Sequence, residues 1–174
     1  MVRHQQLGFA MPRQRLARRT RTTANGTKVT TTKLVEAGPL EWQIQAEAVR
    51  RVRQLDGYGD ELGSGVAFTL AGDFNSARRS PQQAVIAKAT GIAAGEPDIR
   101  VYGRGGRLLL IEMKGPKTPI SADQKKRHAL LGELGHPVVV VRGKTIDQGA
   151  ADVVKLVQDW LAAAPANDNG RMAA

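Results

Sequence analysis

The sequence predicts an α/β domain in which a mixed central sheet of about four strands is flanked by helices. Segments whose apolar residues recur at helical spacing alternate with short apolar runs, in the order helix, strand, helix, strand, strand, helix, strand, helix. The third of these helices connects two strands as a crossover, which predicts that the two strands are parallel.

The first half of the pattern begins at Pro39, where the folded domain is predicted to start. Its predicted elements are a helix over Leu40–Leu55, a strand over Val66–Leu70, a polar loop over Gly72–Arg79 and a helix from Pro81 to near Gly91. Ser80 precedes that helix and Pro81 opens it, because serine caps a helix and proline suits its first position.

The second half contains the segment that is most informative about chemistry. Its predicted elements are strands over Asp98–Tyr102 and Arg107–Met113, a helix from Ser121 that stops at Gly135, a strand over Pro137–Val141 and a helix over Ile146–Leu161. Gln124 follows Ser121 at the spacing of a capping box. The continuous apolar run of the last strand predicts that this strand is buried on both faces.

Composition limits the class of protein. The chain has 174 residues, no cysteine and a net charge of +10, so disulfides and thiolate zinc sites are excluded. No run of about 18 apolar residues is present and no apolar stretch follows the basic start, so we expect neither a membrane span nor a signal peptide, and a cytoplasmic location. The positive charge favours a polyanionic partner such as DNA.

The two ends of the chain differ in composition from the middle. Residues 1–38 predict a basic, flexible arm, with a short strand allowed near Lys28–Leu34. Arginines that could contact phosphates in this arm are Arg13, Arg15, Arg18 and Arg19. A solvated tail without function explains them equally well. The domain is predicted over residues 39–162, and residues 163–174 predict a disordered tail.

The predicted hairpin brings three charged residues together. A three-residue loop, Arg104–Gly106, would pair Asp98 with Glu112 across the hairpin. Because alternate strand residues share a face, Asp98, Glu112 and Lys114 would then lie together, opposite the apolar residues that flank them. A two-residue loop would instead place the two carboxylates on opposite faces.

Two carboxylates beside a lysine suit a particular chemistry. Carboxylate oxygens are the ligands that Mg²⁺ and Mn²⁺ prefer, and such a cation polarises a phosphate. A lysine ammonium can hold the attacking water or stabilise charge on the phosphate. The alternative is a surface ion pair of Glu112 with Lys114. The apolar run Leu108–Ile111 argues against it, because a central buried strand rarely carries charges without a purpose.

Three segments resemble the PD-(D/E)XK nuclease superfamily, and its VRR-NUC branch most closely: Gly95–Ile99, Ile111–Lys114 and Ser121–Gln124. The resemblance extends from about Pro39 to Gly143. It implies a restriction-endonuclease-like core and a Mg²⁺ cofactor that Mn²⁺ could replace. The loop at Asp73–Asn75 departs from the family's Pro-Asn pattern.

The resemblance also implies roles for individual residues. Asp98, Glu112 and the Met113 backbone carbonyl would bind the metal, Lys114 would position the attacking water, Gln124 would assist the site, Glu41 would approach the metal, and Arg78 and Arg79 would contact phosphates. The capping box explains Gln124 equally well, and Glu47 is a rival to Glu41. His128 fits a helix-face residue better than a catalyst.

These observations predict a metal-dependent DNA nuclease that hydrolyses phosphodiester bonds. The rival hypothesis is a catalytically inactive DNA-binding module with a nuclease-like fold. The resemblance also allows a homodimer, because enzymes that cut two strands often use two sites.

Overall fold

The computed structural model describes residues 14–73 and 80–163. The chain divides into two compact units, Met1–Pro39 and Leu40–Ala174. No helix within the described ranges is long and apolar enough to cross a membrane.

The first unit contains a hairpin where the sequence predicted a flexible arm. Strands β1 (Gln14–Thr22) and β2 (Lys28–Glu36) pair antiparallel along their whole length. Gly26, with φ +78°, lies in the turn between them, where glycine tolerates the left-handed conformation. Thr20 and Thr30 face each other across the strands with their Oγ1 atoms 2.9 Å apart. The strand allowed near Lys28–Leu34 is part of β2, and its β-branched residues favour this pairing.

The second unit has the predicted element order. Its elements are α1 (Glu41–Val52), β3 (Phe68–Gly72), α2 (Pro81–Ala89), β4 (Ile99–Gly103), β5 (Leu108–Lys114), α3 (Ala122–Glu133), β6 (Val138–Arg142) and α4 (Ile146–Ala162). The sheet has four strands in the order β3-β4-β5-β6. Strand β4 is antiparallel to both β3 and β5, and β6 is parallel to β5. The α/β class, the mixed four-stranded sheet and the parallel crossover are therefore confirmed.

Local signals set the starts of two helices as predicted. The Ser80 Oγ accepts a hydrogen bond from the Gln83 backbone N–H at 3.3 Å at the start of α2. Ser121 does the same for Gln124 at 3.2 Å at the start of α3. Each cap satisfies a backbone donor that has no partner within its helix.

The core lies against one face of the sheet. Apolar residues of α1 and α4 that are fully buried pack there, among them Ile44, Ala48, Val153 and Val157. The same core contains five strand residues that the hairpin register placed on this face: Ile99, Val101, Leu109, Ile111 and Met113. Burial of this apolar surface stabilises the fold and fixes the direction in which alternate residues of β5 point.

One burial prediction is wrong. The sequence predicted that the strand at Pro137–Val141 is buried on both faces, yet Val139 is 36% exposed and only Val141 of β6 is buried. Strand β6 lies at the edge of the sheet and pairs with β5 alone. Its side chains are therefore covered on one side of the strand only, while β5, with neighbours on both sides, is buried along nearly its whole length.

The hairpin of β4 and β5 has the predicted register. Ile99 pairs with Ile111, and the Gly103 N–H donates to the Arg107 carbonyl at 2.9 Å. The loop differs in one detail, since Gly105 and Gly106 both have positive φ where one left-handed glycine was expected. The register continues outward from Ile99 and Ile111, and so sets Asp98 opposite Glu112.

Candidate active site

The sheet face opposite the core carries the charged residues that the sequence singled out. Glu112 is fully buried and Lys114 is 5% exposed, whereas Asp98 lies half-buried just before β4. Ile111 and Met113 alternate with them and point into the core. The fold thus brings Asp98, Glu112 and Lys114 together at the end of the hairpin, as the alternation predicted.

Asp98 is held through both its side chain and its main chain. Its Oδ2 accepts a hydrogen bond from the Met113 backbone N–H at 2.7 Å. Its carbonyl accepts from the Gln45 Nε2 at 2.9 Å and from the Asp73 N–H at 2.8 Å. Gln45 reaches across from α1, so a residue of the first helix holds the main chain at Asp98. Such fixed geometry is what a metal ligand requires.

The two carboxylate oxygens of Glu112 have different surroundings. Oε1 lies 2.9 Å from the Lys114 Nζ and also accepts a hydrogen bond from the Gln124 Nε2. Oε2 is buried without a hydrogen-bond partner among the described residues and lies 3.5 Å from the His128 Nε2. A buried carboxylate oxygen without a donor is costly, and it is therefore suited to a ligand that brings positive charge.

Lys114 connects the site to the first helix. Its Nζ lies 3.5 Å from the Glu41 Oε2, and the Glu41 Oε1 accepts from the Gly115 N–H at 3.0 Å. Glu47, the rival candidate, forms ion pairs with Arg50 and Arg51 instead. Glu41 is thus the acid of α1 that reaches the site, with both of its oxygens already in contact with protein groups.

The electrostatics of the two carboxylates reflect their closeness. Burial, together with the charge of Glu112, raises the pKa of Asp98 to about 7. Burial also raises the pKa of Glu112, although its hydrogen bond with Lys114 opposes the rise. Burial would lower the pKa of Lys114, but the hydrogen bond and charge of Glu112 outweigh it, so that this pKa is raised. Lys114 is therefore cationic, and the two carboxylates repel each other when both are ionised, whereas a protonated Asp98 hydrogen-bonds with Glu112 and lowers its pKa.

His128 lies at the site, where its sequence context predicted a helix-face residue rather than a catalyst. Its ring hydrogen-bonds with the Gly95 backbone, and burial together with the nearby Lys114 charge lowers its pKa, so the ring is neutral near pH 7. Its Nε2 is buried and has no hydrogen-bond partner among the described residues. The spacing of four residues from Gln124 placed both side chains on one face of α3, and this was the signal that could have found it.

A network of charges beside Asp98 was also missed. The Arg100 Nη2 lies 3.0 Å from the Glu96 Oε2 and 3.3 Å from the Asp73 Oδ2. The Arg127 Nε donates to the Glu96 Oε1 at 2.6 Å. Glu96 therefore joins α3 to the segment that carries Asp98. Its partners are Arg100 on β4 and Arg127 on α3. Helical spacing rules apply within one helix, so they could not predict these pairs.

A divalent cation of the hard class fits the donors of this site. The Asp98 and Glu112 carboxylates offer oxygen ligands, and the Glu112 Oε2 accepts no hydrogen bond from the part of the chain that the structure describes. Across the described ranges, no three acidic, histidine or cysteine side chains form a group that could hold a metal ion. The protein would therefore supply two carboxylates, with the Met113 carbonyl predicted as a further ligand. Such a sparse protein ligand set is usual for Mg²⁺, which keeps several waters.

Several predicted contacts fall elsewhere. Arg78, Arg79 and Arg13 lie outside the described residues. Arg15, Arg18 and Arg19 lie on β1, in the first unit.

One comparison with solved structures finds a similar chain. A solved chain described as "VRR_NUC domain protein" is similar to this one, with 21% identity and a TM-score of 0.47, and the match covers 72% of this chain and 90% of that chain. No protein-family model and no curated protein matches the chain. The likeness concerns the fold alone.

Proposed function

We propose that this protein is a metal-dependent nuclease that hydrolyses phosphodiester bonds in DNA. The observation that carries the proposal is the fully buried Glu112 between the half-buried Asp98 and a cationic Lys114. Two neighbouring carboxylates, one of them fully buried, would gain stability from a bound cation that offsets their negative charge. This pairing of hard ligands with an ammonium suits phosphoryl chemistry.

Each residue has a defined task in this proposal. Asp98 and Glu112 hold the cation, which when bound supplies a Lewis acid for the phosphate. Lys114 holds the attacking water and stabilises charge on the phosphate through its Nζ. Gln124 orients Glu112 through its Nε2, and Glu41 holds Lys114. A homodimer remains a prediction of the family resemblance.

Cleavage of a mixed DNA panel tests the proposal. Linear duplex, single strand, flap and four-way junction are each incubated with Mg²⁺, with Mn²⁺ and with chelator, beside an Asp98→Ala/Lys114→Ala double variant. We expect metal-dependent cleavage that the double variant lacks. Cleavage that persists in chelator or in the double variant would contradict the assignment of these residues.

A DNA-binding module without catalysis is the second candidate. It is favoured by the fact that Lys114 already pairs with Glu112 and Glu41, so that protein groups alone compensate part of the buried charge. On this hypothesis the panel would give tight, salt-sensitive binding without any cleavage under all three metal conditions.

A further inference from the structure

The hairpin of the first unit is strongly cationic. The segment 14–35 contains six lysine and arginine residues and no aspartate or glutamate. The strand residues are almost all exposed, and Leu16 and Leu34 are more than half exposed. A ribbon with this charge and exposure is suited to a polyanion.

The pairing register sorts these charges onto two faces. Arg15, Ala17, Arg19 and Arg21 occupy alternate positions of β1 and so share one face. Lys33 of β2 lies on the same face because it pairs directly with Ala17. A concavity of about 560 Å³ lies along the hairpin, and the basic residues that line it are Arg18, Arg19, Arg21 and Lys33. Lys28, which pairs with Thr22, belongs to the opposite face together with Arg18, which pairs with Thr32. We call the face of Arg15, Arg19, Arg21 and Lys33 the basic face.

We propose that the basic face binds duplex DNA, with the hairpin entering the major groove as a two-stranded ribbon. Paired strands lie about 4.8 Å apart, and their nine residues span about 30 Å. The major groove, about 12 Å wide, admits a ribbon of this kind. Arginines two residues apart along a strand are about 7 Å apart. The DNA double helix that they would face carries one phosphate charge per about 1.7 Å of its axis.

The same geometry selects DNA over RNA. A-form duplexes have a deep and narrow major groove that side chains do not read, so a ribbon of this width would not enter it. The proposal names the same substrate class as the proposed nuclease, but it concerns a separate surface in a separate unit. It is therefore tested by binding in the presence of chelator, and an absence of cleavage would leave it standing.

Fluorescence anisotropy of the full-length chain with a labelled duplex tests the proposal. The variants are Arg19→Gln/Arg21→Gln and Lys33→Gln, and the matched control is Lys28→Gln, which removes the same charge from the same strand on the other face. We expect the double variant to lower the slope of log K against log[salt] by about 2 and Lys33→Gln by about 1, as each lost phosphate contact removes about 0.9. Lys28→Gln should leave the slope unchanged.

Further binding experiments test which groove of the DNA is occupied and whether DNA is preferred over RNA. Methyl green, which occupies the major groove, should displace the protein, and netropsin, which occupies the minor groove, should not. Duplex RNA of the same sequence should bind at least tenfold more weakly than DNA. Equal losses in Lys33→Gln and Lys28→Gln, displacement by netropsin alone, or equal binding of RNA would overturn the proposal. So would an effect of the basic-face variants on binding to polyglutamate but not to DNA.

Discussion

Gln124 and Glu112 are joined by a hydrogen bond that connects the first turn of α3 to the middle of β5. The Gln124 Nε2 donates to the Glu112 Oε1, and the Gln124 Oε1 accepts from the Ser121 N–H at 3.0 Å. The sequence left a helix cap and a site residue as alternatives for Gln124. One side chain takes both positions, because its amide has a donor and an acceptor at opposite ends.

The two tasks of Gln124 can be separated by Gln124→Glu. The new carboxylate still accepts from Ser121, but it has no donor for Glu112 and adds a negative charge beside it. We expect cleavage activity to fall about 10- to 100-fold. Gln83→Glu is the matched control, because Gln83 forms the same capping box with Ser80 at the start of α2. Equal activity in the two variants would show that the contact with Glu112 is unimportant.

Lys114→Met tests the ammonium while keeping much of the side-chain volume. We expect turnover to fall about 10²- to 10³-fold, because a donor that stabilises charge in the transition state is lost. Mn²⁺ binding should be retained, since the carboxylates remain. Lys155→Met, which breaks the exposed pair with Asp159, should leave turnover unchanged. Normal turnover in Lys114→Met would exclude the proposed role.

Asp98 predicts a dependence of stability on pH. Its pKa is raised from 3.8 to about 7 in the folded protein, so the folded state binds more protons between these values and the free energy of unfolding falls as pH rises through this window. Glu112, whose pKa is also raised, contributes with the same sign. His128 contributes with the opposite sign, because its pKa is lowered and charging it below its ordinary pKa of 6.5 destabilises the fold.

Urea denaturation between pH 4.5 and 8 in chelator measures this effect. Asp98→Asn should flatten the decline of stability, and its gain over the parent chain should be largest at pH 8. Mg²⁺ should restore stability to the parent at pH 8 but not to Asp98→Asn, because it binds the ionised carboxylates. The same decline in both proteins would refute the pKa assignment.

Gly95→Ala should destabilise the packing of α3 beside the site. Gly95 has φ +82°, and an added Cβ would lie 2.6 Å from the Asp123 carbonyl oxygen in the first turn of α3. Gly91 also has φ +82°, but has open space around its Cβ position. We expect Gly91→Ala to cost about 1–2 kcal/mol from backbone strain alone, and Gly95→Ala about 1–3 kcal/mol more from the clash. Equal unfolding free energies of the Gly91→Ala and Gly95→Ala variants would mean that α3 shifts to remove the clash at little cost.

The sequence predicted those features that depend on near neighbours in the chain. The caps at Ser80 and Ser121 follow from the adjacent turns, and the pairing of Asp98 with Glu112 follows from the length of one loop. The alternation of apolar and charged residues in β5 then placed Lys114 with them. Capping, hairpin pairing and strand alternation each depend on a few neighbouring residues, so the sequence alone is enough to predict them.

Features that depend on distant elements were less accessible. The exposure of Val139 follows from the strand order, which the apolar run of β6 does not encode. Whether Glu41 or Glu47 reaches Lys114 depends on how α1 rotates against the sheet, and the partners of Glu47 decide it. The contact of His128 with Glu112 likewise requires α3 to pack over β5. The hairpin had a local signal at Asn25-Gly26, which the high charge of the segment obscured.

Calorimetric titration with Mn²⁺ tests the central claim, that Asp98 and Glu112 bind a divalent cation. It is performed on the parent chain, on Glu112→Gln and on Glu47→Gln, which neutralises an acid of α1 that pairs with Arg50 and Arg51 instead. We predict saturable binding that Glu112→Gln weakens at least tenfold and Glu47→Gln leaves intact. Equal binding by the parent chain and Glu112→Gln, or no binding by the parent chain, would contradict the claim.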